Sequence, residues 1–391
     1  MADVQSNQSL RDRLGELDAQ IALLQAERKI IQRKLSSIIY PVLSLPFDVT
    51  SEIFIQCIPE LSDSDPIFKI HTHRNLPTPF LLSQICRAWR HVALKTPQLW
   101  AVFSISLEDW PQDCILGARR LAEWVERAGS SPLSLVIGNP PTISPTTPVI
   151  LDSILRLSMQ WRNVGLHLPS EDFTTEKFQS LHGRLPCLEE LHLARYNELG
   201  MTVVTAFEQA PNLRTVVLDG VSPTAILLPW AQLTHFRGDE FNGLECLHAL
   251  RSASSLVECN FIHVKNQYMR ESALLPPHLG LKVLYLTGEL VCLDILCLLT
   301  LPALSELNFR DGDRFELHEQ FLSFLSRSHP PLEQLSLHRG YQRLMHCFPF
   351  LRQLAVLELT GMTEDDMPGF LHALRFGLAD SPPVPSQPEF S

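Results

Sequence analysis

The sequence offers few residue patterns that could carry out chemistry. It contains no GxGxxG or GxxxxGK(S/T) loop to cradle a phosphate, no GxSxG nucleophile elbow and no HExxH zinc helix. His71 and His73 are spaced as half of a metal site, but no cysteine or carboxylate lies at the spacing that would complete it. Asp365 and Asp366 match neither a calcium loop nor an acid–base pair. We therefore expect no catalytic residue, no cofactor and no metal, and an enzyme of atypical α/β fold is the weakest of three functional hypotheses.

The composition limits the classes of partner. The chain has 391 residues, 45% of them hydrophobic, and its 32 basic and 43 acidic residues give a net charge of -11. This negative balance works against a phosphate-driven grip on nucleic acid or on an anionic membrane, so we expect neither partner. The most apolar window, 290–301, is too short to span a bilayer.

The cysteines and the first residues bear on the compartment. Nine cysteines are scattered without a CxxC pair, which favours a reducing environment. The first twenty residues are polar and acidic where a secretory signal would be basic and then apolar. The expected location is the cytoplasm, the nucleus or both.

The first forty residues carry a heptad pattern. From Leu10 to Ile38 apolar residues recur alternately four and three apart, with Arg28 as the one interruption. The pattern predicts an amphipathic or coiled-coil helix over 1–40, which ends before Pro41 because proline disfavours helical geometry at the preceding residue. This helix could fold back on the next domain, or it could associate through residues 10–38 with a second copy or with a helix of another protein.

Two short amphipathic helices are predicted within residues 41–105, separated by a long internal loop at about 60–79. The residues that share one face of the first helix are Val49, Ile53, Phe54, Cys57 and Ile58. Those that share one face of the second are Leu82, Ile85, Cys86, Trp89 and Ala93.

Residues 106–378 repeat a short apolar pattern. The motif LxxLxL, with other apolar residues substituting, begins at Leu188, Leu213, Leu256, Leu281, Leu304, Leu332 and Leu354. Weaker copies begin at Leu133, Trp161 and Leu233. Successive copies lie 20 to 28 residues apart, which is the spacing of a leucine-rich repeat.

Each copy fits one plan, in which alternating apolar residues form a strand and the next residues return as a helix. Helical spacing is found in 201–211, 243–254, 292–302 and 319–330. No single copy could close its own core, so neighbouring copies must stack. The predicted fold is α/β: a heptad helix and a small all-α domain, followed by an irregular solenoid with parallel strands on a concave face and helices outside. The proline-rich segment 379–391 is expected to be a disordered tail.

The segment 41–105 resembles an F-box. Its Leu45-Pro46 start, Ile53-Phe54 pair, CRAW sequence at 86–89 and closing Leu99-Trp100 follow the order of the F-box pattern. Together with the heptad helix and the segment LAEWVERAGSSPLSLVI, they make the chain similar to the large family of fungal F-box proteins with C-terminal leucine-rich repeats. Two features depart from that pattern: the gap at 60–79 is longer than in a compact F-box, and the repeats lack the usual asparagine or cysteine.

The resemblance implies a function. F-boxes dock onto the Skp adaptor of a cullin-RING ubiquitin ligase, and the matching residues here are Leu45, Pro46, Ile53, Phe54, Trp89, Leu99 and Trp100. The repeats would then bind a protein substrate, which the sequence does not identify. The expected function is the substrate-recruiting subunit of an SCF-type ligase, and the alternative is a leucine-rich-repeat scaffold without a ligase.

Substrate contacts are expected on strand residues that point away from the core. Alternation along the strands places there Glu190, His192, Asp219, Glu258, Asn260, Tyr285, Glu306, Asn308, Arg310 and His338, with Thr215, Gln334 and Glu358 beside them. Tyr285 and Arg310 are expected to contribute most, because tyrosine and arginine often dominate interfaces.

Overall fold

The computed structural model describes residues 2–36, 41–58, 78–106, 114–138, 147–168, 176–195, 203–265, 273–288, 291–311, 318–338 and 347–361. The chain divides into two compact units, the first comprising 1–60 and 76–96 and the second 61–75 and 97–391. The predicted tail at 379–391, and all but the last two residues of the predicted loop at 60–79, lie outside the described residues.

The first unit begins with a long helix, α1 (Ala2–Ser36), within the predicted span 1–40. Leucine, glutamine, arginine, lysine and alanine are good helix formers and make up much of it. Every side chain from residue 11 to residue 35 is exposed. Over residues 11–35 the described part of the first unit does not cover the apolar stripe, which disfavours the fold-back that the sequence left as a possibility.

The next elements are a 3-10 turn (Pro41–Ser44) and α2 (Phe47–Gln56). Pro46 precedes α2 in an extended conformation, and its carbonyl oxygen accepts hydrogen bonds from the backbone amide of Thr50 at 3.0 Å and from the Thr50 hydroxyl at 3.1 Å. These two bonds fix the start of the helix.

The second predicted helix is divided in two, α3 (Thr78–Ile85) and α4 (Arg87–Lys95). Cys86 lies between them in an extended conformation, and its Sγ accepts the Trp89 amide at 3.4 Å as the cap of α4. An N-cap residue is not helical, so the single continuous face predicted through Cys86 is wrong. Arg90 Nε donates to the carbonyl oxygen of Ser83 at 2.8 Å and ties the two helices together.

The second unit is built on one parallel sheet. Within the described residues its eleven strands pair in sequential order. They are β1 (Val102–Ser106), β2 (Leu133–Gly138), β3 (Trp161–Leu168), β4 (Glu190–Arg195), β5 (Thr215–Asp219), β6 (His235–Asp239), β7 (Glu258–Val264), β8 (Val283–Gly288), β9 (Glu306–Asp311), β10 (Gln334–His338) and β11 (Val356–Thr360). The fold is therefore α/β with a long parallel sheet, in the strand order of a solenoid whose repeats contact only their neighbours.

All ten predicted copies of the apolar motif lead into a strand. The starting residues from Leu133 to Leu332 are fully buried, at 0% exposure. Their side chains lie between the sheet and the segments that connect its strands. The first strand was not predicted: the sequence pattern assigns residues 102–105 to the F-box, whereas β1 pairs in register with β2.

Two rows of side chains run along the sheet; they are buried from β1 to β10, where they form its core, and half-buried on β11. One row comprises Phe103, Leu135, Val164, Leu191, Val216, Phe236, Cys259, Leu284, Leu307, Leu335 and Leu357. The other runs from Ile105 through Leu193 and Gly238 to Phe309 and Leu359. Gly238 is required in this row, because a Cβ there would lie 2.6 Å from Cε2 of Phe241.

The connections between strands are partly helical. They include α5 (Cys114–Ala128), α6 (Thr147–Leu155), α7 (Glu176–Gln179), α8 (Gly243–Ser252), α9 (Cys292–Cys297) and α10 (His318–Ser328). The last three confirm the helical spacing read from the sequence. The start of α8 is fixed by a capping box, in which Asn242 and Glu245 each bond the other's backbone amide.

The helix predicted at 201–211 is wrong for its described part. Residues 203–211 form a bridge from Val204 to Ile226 and a turn. The β-branched run of Val203, Val204 and Thr205 disfavours a helix, and the turn still buries Phe207 and Ala210. The apolar residues of this segment are therefore buried at helix-like spacing although the backbone is not helical.

Candidate protein-binding surfaces

The first unit exposes many large apolar side chains on its short elements. Those between residues 42 and 94 that are at least 38% exposed are Val42, Leu43, Leu45, Phe47, Val49, Ile53, Leu81, Ile85 and Leu94. Six of the nine lie in the continuous stretch 42–53. We call residues 42–53 the apolar segment. Exposed apolar surface of this density commonly marks an interaction site.

A small aromatic core holds this segment in place. Phe54 is 1% exposed, and its ring meets the Trp89 ring edge to face with centroids 5.0 Å apart. The pair joins α2 to α4. Because Phe54 faces inward, its neighbour Ile53 and Val49 one turn earlier remain in solvent.

The seven residues predicted to bind the Skp adaptor are divided by the structure. Leu45, Pro46 and Ile53 are exposed, and Trp89 is half-buried. The other three, Phe54, Leu99 and Trp100, are at most 1% exposed. A side chain enclosed by its own chain cannot contact a partner in this conformation, so the candidate adaptor surface is corrected to the first four residues and their exposed neighbours in the apolar segment.

Leu99 and Trp100 belong to the second unit and close one end of its core. The indole Nε1 of Trp124 donates to the carbonyl oxygen of Trp100 at 2.6 Å, and the guanidinium carbon of Arg127 lies 4.7 Å from the centre of the Trp100 ring. The next residue, Ala101, accepts the Ser134 amide at 2.9 Å. These contacts position β1 beside β2.

A second candidate surface is the sheet face opposite the two buried rows, which we call the polar sheet face. Its first row comprises Glu190, Thr215, His235, Glu258, Val283, Glu306, Gln334 and Val356, and its second His192, Val217, Arg237, Asn260, Tyr285, Asn308, Ser336 and Glu358. A third comprises Asp219, Asp239 and Ile262 and, beyond a bulge in β7, Thr287, Arg310, His338 and Thr360. All ten residues of the predicted substrate surface lie in these rows; nine are half-buried and Arg310 is exposed.

One end of the polar sheet face is closed. His167, Val136 and Val217 are at most 7% exposed there, and the His167 and His192 rings meet edge to face at 4.7 Å. Burial, and then the positive charge of Arg237, lower the pKa of His192 from 6.5 to about 4. His192 is therefore neutral at pH 7, and the accessible part of this face lies on β6 to β11.

Charged side chains cluster where β5, β6 and β7 end. Burial, followed by the like charges of Asp239 and Glu240, raises the pKa of Asp219. His263 Nδ1 lies 2.9 Å from Asp239 Oδ1, and Lys265 Nζ donates to Glu240 Oε2 at 3.0 Å. The part of the chain that the structure describes holds no group of three or more His, Cys, Asp or Glu side chains placed to bind a metal ion.

Tyr285 lies among carboxylates in the middle of the accessible face. Its hydroxyl donates to Glu306 Oε1. This hydrogen bond, burial, and the charges of Glu306, Glu258 and Glu358 raise the pKa of Tyr285 to about 12, so that the hydroxyl stays protonated. Asn260 Nδ2 donates to Glu258 Oε1 at 3.0 Å. The region presents carboxylate and amide oxygens around one aromatic ring.

Four charged residues on or beside this face were not predicted from the sequence: Arg237 and Asp239 within it, and Glu240 and His263 next to it. Arg237 and Asp239 lie in the weak motif copy that begins at Leu233. Extending the alternation rule to that copy would have found both of them. Glu240 and His263 have positive φ, 60° and 50°. A glutamate or a histidine is uncommon in this conformation, so no residue pattern in the sequence predicts it.

The chain was compared with known proteins. No protein-family model matches it, and no curated protein matches it. Among the described residues, no helix is both long enough and apolar enough to cross a membrane.

Proposed function

We propose that this chain is the substrate-recruiting subunit of an SCF-type ubiquitin ligase. The F-box-like first unit binds the Skp adaptor through Leu45, Pro46, Ile53 and the half-buried Trp89. The leucine-rich-repeat solenoid of the second unit binds a protein substrate on its polar sheet face. The chain breaks no bond, and it acts by raising the concentration of the substrate near the charged ubiquitin carrier.

The observation that carries this proposal is the exposure of the apolar segment. Leu45, Phe47, Val49 and Ile53 are between 38% and 46% exposed, although Phe54 beside them is enclosed. Removing such side chains from water on binding is favourable by roughly 25 cal/mol per Å². Two of them, Leu45 and Ile53, also lie at positions by which the segment resembles an F-box.

Substrate binding is assigned to the accessible part of the polar sheet face. Tyr285 is half-buried, and its hydroxyl is hydrogen-bonded to Glu306. Arg310 is exposed and lies on β9, two strands along the sheet from Asn260 on β7. An aromatic ring with a fixed orientation loses little entropy on binding, and arginine offers several donors. These two residues are expected to contribute most of the binding energy.

Co-purification of the tagged full chain with the Skp adaptor tests the first half of the proposal. The double change Leu45→Ala and Ile53→Ala is expected to weaken adaptor binding at least about tenfold, as loss of an interface hot spot does. The matched control is Leu244→Ala with Leu279→Ala, which removes side chains exposed by 48% and 73% in the second unit. Equal binding by both double variants would refute the proposed adaptor surface.

Mass spectrometry of the same purifications tests the second half. Tyr285→Ala and Arg310→Ala should each deplete specific co-purifying proteins while the adaptor is retained. If both variants co-purify with the same proteins as the wild-type chain, the assigned substrate face is contradicted. If the wild-type chain retains partners through that face but never the adaptor, the alternative of a repeat scaffold without a ligase is favoured.

A further inference from the structure

We propose that α1 pairs with α1 of a second copy of this chain as a parallel two-stranded coiled coil. The helix has 35 residues, which corresponds to a length of about 50 Å. Its described side chains, 11–35, are all exposed. A helix that leaves an apolar stripe in water, here interrupted once by Arg28, gains stability when a partner covers that stripe.

The stripe has the geometry of a coiled-coil seam. Its described members alternate three and four residues apart: Leu14, Leu17, Ile21, Leu24, Arg28, Ile31 and Leu35. The six apolar members are between 41% and 65% exposed. In heptad terms Leu14, Ile21, Arg28 and Leu35 take position a, and Leu17, Leu24 and Ile31 take position d. Ile21 at a with Leu24 at d favours two parallel strands, whereas Ile31 at d with Leu35 at a would by itself favour more strands. Arg28 at a then weighs towards the smaller number, because a buried layer of several arginines is costly.

The charges beside the seam make the helix complementary to itself. Positions e and g flank the seam, and in a parallel pair each g residue faces the e residue five positions further along the partner. Arg13 at g then faces Asp18 at e of the second copy. This contact occurs twice at the same level, once on each side of the seam. Arg13, which pairs with Glu16 of its own helix at 2.8 Å, thereby also faces an opposite charge on the partner, and no like-charge pair of this type arises.

An antiparallel pair is disfavoured by the same residues. With the seam fully overlapped, Leu14 would face Ile31 of the second copy, and Arg13 would lie beside Lys34. These like charges repel, and the remaining flanking contacts involve the uncharged Gln20, Gln25 or Gln32. Charge therefore selects the parallel direction.

Arg28 fixes the register of the pair. In the parallel arrangement the two Arg28 side chains share one layer, and Glu27 of each chain lies at the flanking g position beside the other chain's Arg28. A single polar residue at position a lowers stability but specifies alignment and a low number of strands. Any shifted register would place Arg28 opposite a leucine or isoleucine without that carboxylate.

Pairing through α1 gives an assembly with two polar sheet faces and two apolar segments. A partner that carries two binding motifs would then be held more tightly than by one chain, because the second contact is intramolecular. The inference does not depend on attachment to a ligase.

Light scattering on the purified full chain during size-exclusion chromatography tests the pairing. The expected mass for the wild type is twice the 44.3 kDa of one chain. Ile21→Asp with Leu24→Asp is expected to give one chain. The matched control is Leu23→Asp with Ile30→Asp, which changes apolar residues exposed by 72% and 53% that lie off the seam, and it should keep the mass of the pair. A wild-type mass of one chain, a mass of three or more chains, or equal behaviour of the two variants would overturn the proposal.

Disulfide trapping tests the direction. Leu14→Cys, made in a chain whose exposed Cys57 is replaced by serine, places the two new thiols in one layer of a parallel pair, so oxidation should yield a covalent dimer that the Cys57→Ser chain does not form. Leu14→Cys alone should remain uncrosslinked in an antiparallel pair, because its neighbour would be Ile31. Arg28→Ile should tighten the pair at least about tenfold, since it removes the polar layer. No crosslink, or no effect of Arg28→Ile, would contradict the parallel seam.

Discussion

Trp124 holds Trp100 by a hydrogen bond from its indole Nε1 to the Trp100 carbonyl oxygen, 2.6 Å long, and by an edge-to-face contact with ring centroids 5.0 Å apart. Trp100 closes the stretch that resembles an F-box, whereas Trp124 lies on α5 between the first two strands of the sheet. The contact therefore assigns the closing Leu-Trp pair to the core of the second unit. The residues left for an adaptor are those of the apolar segment and Trp89.

Trp100→Ala is expected to destabilise the second unit by about 3–5 kcal/mol, because it removes a fully buried ring. Trp124→Phe is the milder comparison, since it keeps a ring but loses the indole donor, and it should cost about 1 kcal/mol. Denaturant unfolding followed by tryptophan fluorescence and circular dichroism measures both. If Trp100→Ala leaves the stability unchanged but abolishes adaptor binding, Trp100 contacts the adaptor and its assignment to the core is contradicted.

Gly238→Ala is expected to lower the free energy of unfolding by about 1–3 kcal/mol, because the new methyl group would overlap the Phe241 ring in a filled core. Gly138→Ala is the matched control, since a Cβ at Gly138 has no neighbour within 4 Å. The change Phe241→Leu should be less harmful in the Gly238→Ala chain than in the wild type. Equal effects of the two glycine changes would contradict the close approach.

Protonation of His192 is expected to weaken the fold. Its pKa is about 4 in the folded chain against 6.5 for a solvated histidine side chain, so between these values the unfolded chain binds more protons. The free energy of unfolding should therefore rise from about pH 4 to about pH 6.5 and then level off, with a contribution of about 2–3 kcal/mol. His192→Gln should remove this part of the pH dependence in denaturant titrations, whereas His235→Gln, at an exposed histidine of the same face, should leave it. An unchanged profile for His192→Gln would contradict the assignment.

Asp219→Asn is expected to stabilise the chain slightly at pH 7, by up to about 1 kcal/mol. The raised pKa of Asp219 means that its charge is disfavoured in the folded state by burial and by Asp239 and Glu240. This contribution has the opposite sign to that of His192: it favours the folded state at low pH and is lost as pH rises through the folded pKa. Thermal unfolding at pH 4 and pH 7 measures it, and a gain confined to pH 4 would contradict the explanation.

The repeats could be predicted because one interaction, the burial of alternating apolar side chains beneath the sheet, determines where each strand lies. A leucine or tryptophan at the start of each copy, followed by alternating apolar residues, is buried in every strand from β2 to β10. The same alternation assigns residues such as Tyr285 and Asn308 to the opposite face. Spacing alone is therefore sufficient to predict the strands and the face of each side chain where neighbouring strands have the same register.

Other features depend on contacts that spacing does not encode. Cys86 fits a helical face by its position, but its sulfur caps α4 and breaks that face. Trp100 fits the F-box pattern, yet its burial depends on Trp124, which lies 24 residues later. Segment 203–211 buries its apolar residues in a turn. In each case a partner distant in sequence, or a backbone bond, overrides the local pattern.

Isothermal titration of the purified full chain with the purified Skp adaptor tests the central claim most directly. We expect saturable binding of one adaptor per chain, with a Kd of about 1 μM or tighter, and at least about tenfold weaker binding for Leu45→Ala with Ile53→Ala. A folded wild-type chain that shows no binding at about 100 μM adaptor would contradict it.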